Sequence, residues 1–369
     1  MKGKKYVSVA VAAGLIAAVA AAPAGAAAGT AGPRGRADLQ AMLDRIVDAG
    51  AVGVIAEVRD GNRTWRGTSG RARIGRPQAA PVDGRFRAGS VTKSFTATVV
   101  LQLVGEGRLE LSDSVEQWLP GLVDKGADTT IRHLLQHTSG LPEYTTDMFD
   151  KWGIPQERYR SWTAKELVDR AGRLPREFPP GDRYGYSNTN YIVLGMLIER
   201  VTGRPYATEV RERILRPLGM GHTRVPGTSP EVPGPHAHAY VPVTKGGKVV
   251  PVDVTRFNPT MAGAAGGIIS TTEDLNRFFR ALFQGRLLPA ALLKEMKDPG
   301  MTKNAYGLGL EMAPLPCGTA LGHGGGATGY LTVAFSSADG SRQVALSITP
   351  YSGDPEKPAM SLLTSALCP

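Results

Sequence analysis

Ser90 and Lys93 stand three residues apart in Phe86-Arg87-Ala88-Gly89-Ser90-Val91-Thr92-Lys93. A serine hydroxyl becomes a nucleophile when a neighbouring base takes its proton, and a neutral lysine amine is such a base. Residues 91–106 read as a helix, so the two side chains share a face and can meet. An ordinary capping box would carry Glu or Gln three residues after the serine. Here that place holds a cation at the positive end of the helix dipole. Partial desolvation there would bring the neutral amine within reach. The plainer alternative is an N-cap serine beside a solvated lysine. Ser-x-x-Lys arises about once by chance in a chain this long, so the pair needs company.

Two further signals follow in order. Tyr186-Ser187-Asn188 precedes an apolar helix at 191–202, and alone would be an N-cap Asn beside a core tyrosine. His323-Gly324-Gly325-Gly326 ends one predicted strand, and alone would be a glycine-rich connection with an exposed histidine. Together the three could line one cleft. Other motifs fail their context. Gly324, Gly326 and Gly329 fit G-x-G-x-x-G, but a strand follows where dinucleotide binding needs a helix. His133 and His137 have metal-like spacing, but Leu134 stands where a zinc protease carries Glu, so both read as structural. His236 and His238 suggest no third ligand. No G-x-S-x-G surrounds Ser90.

These residues must be held by a scaffold whose pattern is readable. A helix is expected at 38–48 and a hairpin at 52–59 and 64–70 around Asp60-Gly61. Residues 142–162 lack a period and read as a long surface loop. Helices are expected at 131–137, 164–171, 191–202 and 206–215, with a short strand pair near 239–243 and 248–252. Ser270 with Glu273 reads as a capping box for a helix ending near 283. Strands return at 306–312, 321–323, 330–336 and 344–349, and a last helix at 355–367. Strands at both ends and helices between imply an α+β fold. It has one antiparallel sheet flanked by helices, with a mainly helical section at about 107–262 inserted.

The N-terminus carries Lys2, Lys4 and Lys5, an apolar run over about 6–22, and Ala24-Gly25-Ala26. That is the pattern of a secretory signal peptide at 1–26, with 27–36 a disordered lead-in and 37–369 the folded domain. Cleavage is expected after Ala26 or Ala28. The expected product is secreted, extracellular and monomeric, with no membrane anchor. The formal charge of +10 falls to about +7 without the three leader lysines. Nucleic-acid-binding signatures are absent. A mild positive charge suggests weak contact with anionic cell-wall polymers, though a merely soluble basic surface explains it equally. The only cysteines, Cys317 and Cys368, imply a disulfide in an exported chain.

The chain resembles the serine hydrolases of the penicillin-recognising fold. The group is the one joining class C β-lactamases and secreted D-alanyl-D-alanine carboxypeptidases of the streptomycete type. The likeness runs from about 39 to 368. It rests on the Ser90 and Tyr186 motifs, on Ile131-Arg132-His133-Leu134-Leu135-Gln136-His137-Thr138-Ser139-Gly140-Leu141, and on Pro180-Gly181. It also rests on Gly266-Gly267-Ile268-Ile269-Ser270-Thr271, Tyr306-Gly307-Leu308-Gly309-Leu310 and Gly322-His323-Gly324-Gly325, and the cysteine pair matches the secreted carboxypeptidases. The resemblance implies that Ser90 is acylated and that Lys93 eases its deprotonation. It implies that Tyr186 shuttles the proton, and that Asn188 orients Lys93 and binds the substrate amide. It makes His323 an electrostatic partner and the N–H groups of Ser90 and Gly326 the oxyanion hole. No metal or organic cofactor is implied.

The departures concern the leaving group. Where the carboxypeptidases grip a terminal carboxylate with hydroxyls and an arginine, this chain has Gly324, Gly326 and Glu311. Met261 stands in place of a tryptophan wall. The first expectation is a penicillin-sensitive D-alanyl-D-alanine carboxypeptidase acting on peptidoglycan peptides. The alternatives are an esterase, a D-amino-acid amidase or aminopeptidase with Glu311 meeting an amine, and a β-lactamase. The substrate would be a small peptide, ester or β-lactam. A non-catalytic module binding wall or β-lactam is opposed by the intact Ser90, Lys93 and Tyr186 set.

Overall fold

The computed structural model describes residues 35–303 and 305–368. The expected signal peptide and almost all of the lead-in lie outside the described residues. The strands are β1 (Ala51–Asp60), β2 (Arg63–Gly70), β3 (Phe86–Arg87), β4 (Tyr240–Lys245), β5 (Lys248–Asp253), β6 (Ile269–Ser270), β7 (Glu311–Leu315), β8 (Gly318–Ala327), β9 (Tyr330–Ser336) and β10 (Arg342–Pro350). Six of them form one antiparallel sheet in the order β2-β1-β10-β9-β8-β7. The two ends of the chain meet where β1 pairs with β10, with Val54 opposite Ile348 and Val58 opposite Val344. Small two-stranded ladders join β3 to β6 and β4 to β5.

Alternation along the strands sorts side chains to two faces. Val54, Ala56 and Val58 join Leu43, Ile46, Leu362 and Leu363 beneath the helices Arg36–Asp48 and Glu356–Leu367. Ile55, Ala334 and Ala345 face the larger core, shared with the helices Thr92–Gly105 and Thr272–Phe283. Helix Thr92–Gly105 is buried on nearly all sides, which explains its lack of an amphipathic pattern. Its serine and threonine hydroxyls find partners within the core, whereas Gln102 Oε1 is buried without one. Ser94 donates to the Gly309 carbonyl at 2.7 Å, and Thr96 to that of Ala264 at 2.7 Å. Residues 107–262 add the long helix Thr189–Thr202, several short helices and the β4–β5 hairpin.

Several local expectations need correcting. The helix at 272–283 is capped by Thr271, which accepts from the Asp274 N–H at 3.3 Å. Ser270 is unavailable for that task because it pairs with Phe86 in the β3–β6 ladder. The strand expected at 306–312 forms only from Glu311 onward, because Tyr306 bends back to bridge Glu311. The three glycines after His323 lie inside β8 and do not end it. The 142–162 segment is irregular, but it is not simply surface: Tyr144, Met148 and Trp162 are all buried.

Cys317 and Cys368 form the disulfide, with Cα atoms 5.5 Å apart. It ties the end of the last helix to the β7–β8 turn. Closing a loop with a separation of 51 residues stabilises the fold by about 4 kcal/mol on the chain-entropy account. Denaturant unfolding of the C317S/C368S variant should therefore show a loss of about that size, equal to the loss when the wild type is reduced.

Candidate active site

Ser90 sits in a single 3-10 turn, Gly89–Val91, between β3 and the buried helix. It caps nothing: the residue before the helix is Val91, and no side chain caps that end. Gly89 has φ +55°, and a Cβ there would lie 2.5 Å from the Gly326 carbonyl oxygen. A Cβ on Gly325 would lie 2.0 Å from the Ala88 carbonyl oxygen. Bare backbone on both sides therefore lets the serine turn lie directly against β8.

Lys93 is not solvated; it is fully buried. Its Nζ lies 2.7 Å from Asn188 Oδ1, 2.8 Å from the Ala265 carbonyl and 3.1 Å from Ser90 Oγ. Burial pulls its pKa down from the ordinary 10.5 to about 7, opposed by the carboxylates of Glu143 and Glu311. Two of its contacts are carbonyl oxygens, which only accept. A neutral amine must spend both N–H groups on them, which leaves its lone pair facing the Ser90 hydroxyl. The site thus fixes the direction of proton transfer from Ser90 to Lys93.

Asn188 is aimed by Glu143. Glu143 Oε2 accepts from the Asn188 backbone N–H at 2.8 Å and from its Nδ2 at 2.9 Å. That assigns the amide nitrogen to Glu143 and the oxygen to Lys93. Asn188 is the residue before helix Thr189–Thr202, but its side chain does not cap it. Desolvation raises the Tyr186 pKa well above the usual 10, with Ser90 beside its hydroxyl acting in the opposite sense. It therefore stays a phenol, able to donate a proton and accept another. Its ring lies on His137, with centroids 4.1 Å apart.

His137 was expected to be structural, and it does not converge with His133 on a metal site. His133 Nδ1 accepts from the Thr130 N–H at 3.2 Å, closing a capping box. His137 is instead the floor beneath Tyr186. Its Nδ1 accepts from Ser187 N–H at 3.2 Å and faces Asn190 Nδ2 at 3.1 Å, so its proton lies on Nε2, which is buried without a partner. Burial holds its pKa well below 6.5, so it is neutral.

The β8 residues sit differently from expectation. His323 is fully buried. Its Nε2 meets the Tyr306 hydroxyl at 2.8 Å, and its Nδ1 meets the Gly324 carbonyl at 2.5 Å and Glu311 at 3.3 Å. Desolvation lowers its pKa below 6.5. It is an imidazole held by three partners within the site, and burial favours its neutral form. Glu311 Oε2 accepts from the Gly324 N–H at 2.8 Å, so that N–H points away from β9. Strand alternation sends the Gly326 N–H the same way, onto the edge beside Gly89. Gly326 is exposed and a Cβ there would meet open space. Met261 forms no open wall. It is buried in the core, and its carbonyl accepts from Tyr144 at 2.7 Å.

Ser90, Lys93, Tyr186 and Asn188 thus converge, with Glu311, Gly324, Gly325 and Gly326 along the adjoining strand edge. Sequence reasoning missed Glu143, His137 as part of the site, and Ala265. Glu143 lies in a stretch without periodicity, and Ala265 contributes only a carbonyl. The arrangement places a serine hydroxyl beside a buried lysine amine and a tyrosine phenol on an α+β scaffold, a set that can supply a nucleophile, a base and a proton relay.

The chain belongs to the Beta-lactamase family, whose model matches residues 37–357. It is a serine hydrolase of that family. It is 31% identical over 301 residues to a penicillin-binding protein of Bacillus subtilis (strain 168), covering 78% of this chain and 65% of that relative's length. Other curated relatives are spanned over about half their length, 54% in two cases. A D-stereospecific amidohydrolase from Streptomyces sp. superposes with TM-score 0.81 and 40% identity, covering 91% of this chain and 99% of that one. The D-amino acid amidase from Ochrobactrum anthropi SV3, complexed with D-phenylalanine, gives TM-score 0.79 and 32% identity over 89% and 97%.

The Lys93 pKa sets a pH limb with a definite sign. The amine is protonated below about 7 and free above it, so acylation should rise with pH through that value. A rapid-mixing measurement of acylation against pH checks this. Lys93→Arg stays charged, so its acylation should fall by about 10²–10⁴ and lose the limb.

Proposed function

We propose that this chain is an exported serine amidohydrolase that cleaves amides and esters of D-amino acids bearing a free α-amino group. The observation that carries the reading is the charge around the nucleophile. The charges acting on Lys93 and Tyr186 are the carboxylates of Glu143 and Glu311. His137 and His323 are held neutral by burial. A substrate ammonium is favoured in such a site, whereas a terminal carboxylate beside Glu311 is repelled. This supports the amidase expectation over the carboxypeptidase one. The D configuration rests on likeness to the two D-specific hydrolases, and export rests on the leader pattern and the disulfide.

In the proposed reaction Lys93 takes the Ser90 proton as Oγ attacks the carbonyl carbon. The N–H groups of Ser90 and Gly326 hold the oxyanion. The Tyr186 phenol passes its proton to the leaving nitrogen and receives in its place the proton Lys93 took, the C–N bond breaks, and Ser90 carries the acyl group. Water, deprotonated through Tyr186 and Lys93, then releases the D-amino acid. Charge-assisted contact with an ammonium contributes about 1.5–3 kcal/mol, roughly tenfold to a hundredfold.

The test is turnover of D-phenylalanine amide, its N-acetyl derivative and an N-acylated D-alanyl-D-alanine peptide by wild type, Ser90→Ala and Glu311→Gln. The free-amine amide should be hydrolysed fastest and only with Ser90 present. Glu311→Gln should raise its KM about tenfold or more while leaving the N-acetyl compound little changed. Faster release of D-alanine from the peptide would restore the carboxypeptidase reading. No Ser90-dependent turnover of any of them would overturn the enzyme reading.

A further inference from the structure

The sheet edge opposite the serine carries a second concentration of charge. A groove of about 1010 Å³ opens between β2, the outer face of helix Thr272–Phe283 and the loop at Pro217 and Leu218. Five arginines line it: Arg59, Arg66, Arg277, Arg280 and Arg286, against the single lining carboxylate of Glu273. Pairing sets the geometry. β1 and β2 place Arg59 opposite Thr64 and Glu57 opposite Arg66, so these side chains share the face that the helix flanks. On the helix, Glu273, Arg277 and Arg280 recur at four- and three-residue spacing and form one stripe.

The arginines divide into two sets. Arg66 is fixed between Glu57 at 2.7 Å and Glu273 at 2.9 Å. Arg277 is fixed by Glu273 at 2.8 Å and the Gly219 carbonyl at 2.7 Å. Arg59 is only loosely paired, 4.0 Å from Glu57, and its Nε is buried without a hydrogen-bond partner. Among the described residues, the guanidinium groups of Arg280 and Arg286 have no hydrogen-bond or ion-pair partner. Unpaired guanidinium groups lining one groove repel one another and favour an anion between them. Rigid arginines beside arginines with spare N–H pairs suit bidentate binding of tetrahedral oxyanions.

We propose that this groove binds a polyanion with phosphodiester repeats, and so docks the enzyme on such a polymer. Several guanidiniums spread along a helix stripe and a strand match repeated charges better than one small anion. The groove is remote from the chemistry. β2 and β8 stand four strand spacings apart in the sheet, about 19 Å. Docking therefore leaves the serine free and raises the local concentration of polymer-borne substrate. The assignment is independent of which acyl compound Ser90 cleaves.

The test compares binding of poly(glycerol phosphate) and polyglutamate to wild type, to R280E/R286E, and to K245E/K248E. The last variant makes the same charge change on exposed lysines of the β4–β5 hairpin. Wild type should bind the phosphate polymer with salt-dependent affinity and prefer it to polyglutamate. The groove variant should bind at least about tenfold more weakly, with a salt slope smaller by about two. The hairpin variant should stay within about twofold of wild type, and both should hydrolyse a small ester at the wild-type rate. Absence of polymer binding by wild type, equal loss in both variants, or equal affinity for polyglutamate would each overturn the proposal.

Discussion

The architecture around Ser90 depends on one unfavourable act, the removal of the Lys93 amine from water. A lysine ammonium is costly to bury, and the protein lowers that cost by making the neutral form accessible near pH 7. The acceptors around Nζ then determine what the neutral form does. Asn188 and Ala265 offer only oxygen, so the lone pair has one direction left, toward Ser90. Glu143 prevents Asn188 from turning its amide nitrogen inward. A base is therefore made from a surface-type side chain by dry surroundings and two carbonyls.

The fold holds that geometry with elements far apart in sequence. The serine turn rests on β8 because Gly89 and Gly325 permit backbone to approach backbone. Tyr186 is held by the ring of His137, and His323 is held by Tyr306 and the Gly324 carbonyl. Glu311, the first residue of β7, reaches across to the Gly324 N–H of β8, and in the proposed reading its charge selects which substrates approach. The serine turn and the proposed recognition edge thus sit on two sides of one cleft. The first is set by helix burial and the second by a strand edge. Selectivity within the family can then change without moving the nucleophile.

Much of this was legible beforehand, and the misses share a physical pattern. Ser90, Lys93, Tyr186 and Asn188 carry side-chain chemistry at the ends of periodic elements, so type and spacing marked them as candidates and the family resemblance supplied their roles. The β1–β2 hairpin and the strands β9 and β10 follow from alternation and turn residues. Glu143 was invisible because its loop has no period, and Ala265 because a carbonyl has no side-chain signature. His323 was placed in the cleft, but its burial and its bond to Tyr306 were not readable from the glycine-rich stretch around it. Three glycines look like a connection in sequence, whereas here they let β8 pass close to its neighbours. His137 looked like half of a failed metal motif; its neutrality comes from burial that only the tertiary structure creates. Ser270 was misread as a cap because the β3–β6 ladder, a long-range pairing, competes for it.

The central claim is that Lys93 is the base, free of its proton near neutral pH. A nitrogen-detected NMR titration of lysine-labelled protein tests it directly, with the Lys93 resonance assigned by its loss in Lys93→Arg. The account predicts one Nζ titrating at about 7, well apart from the exposed lysines. A Lys93 resonance that stays protonated up to about 10 would contradict it.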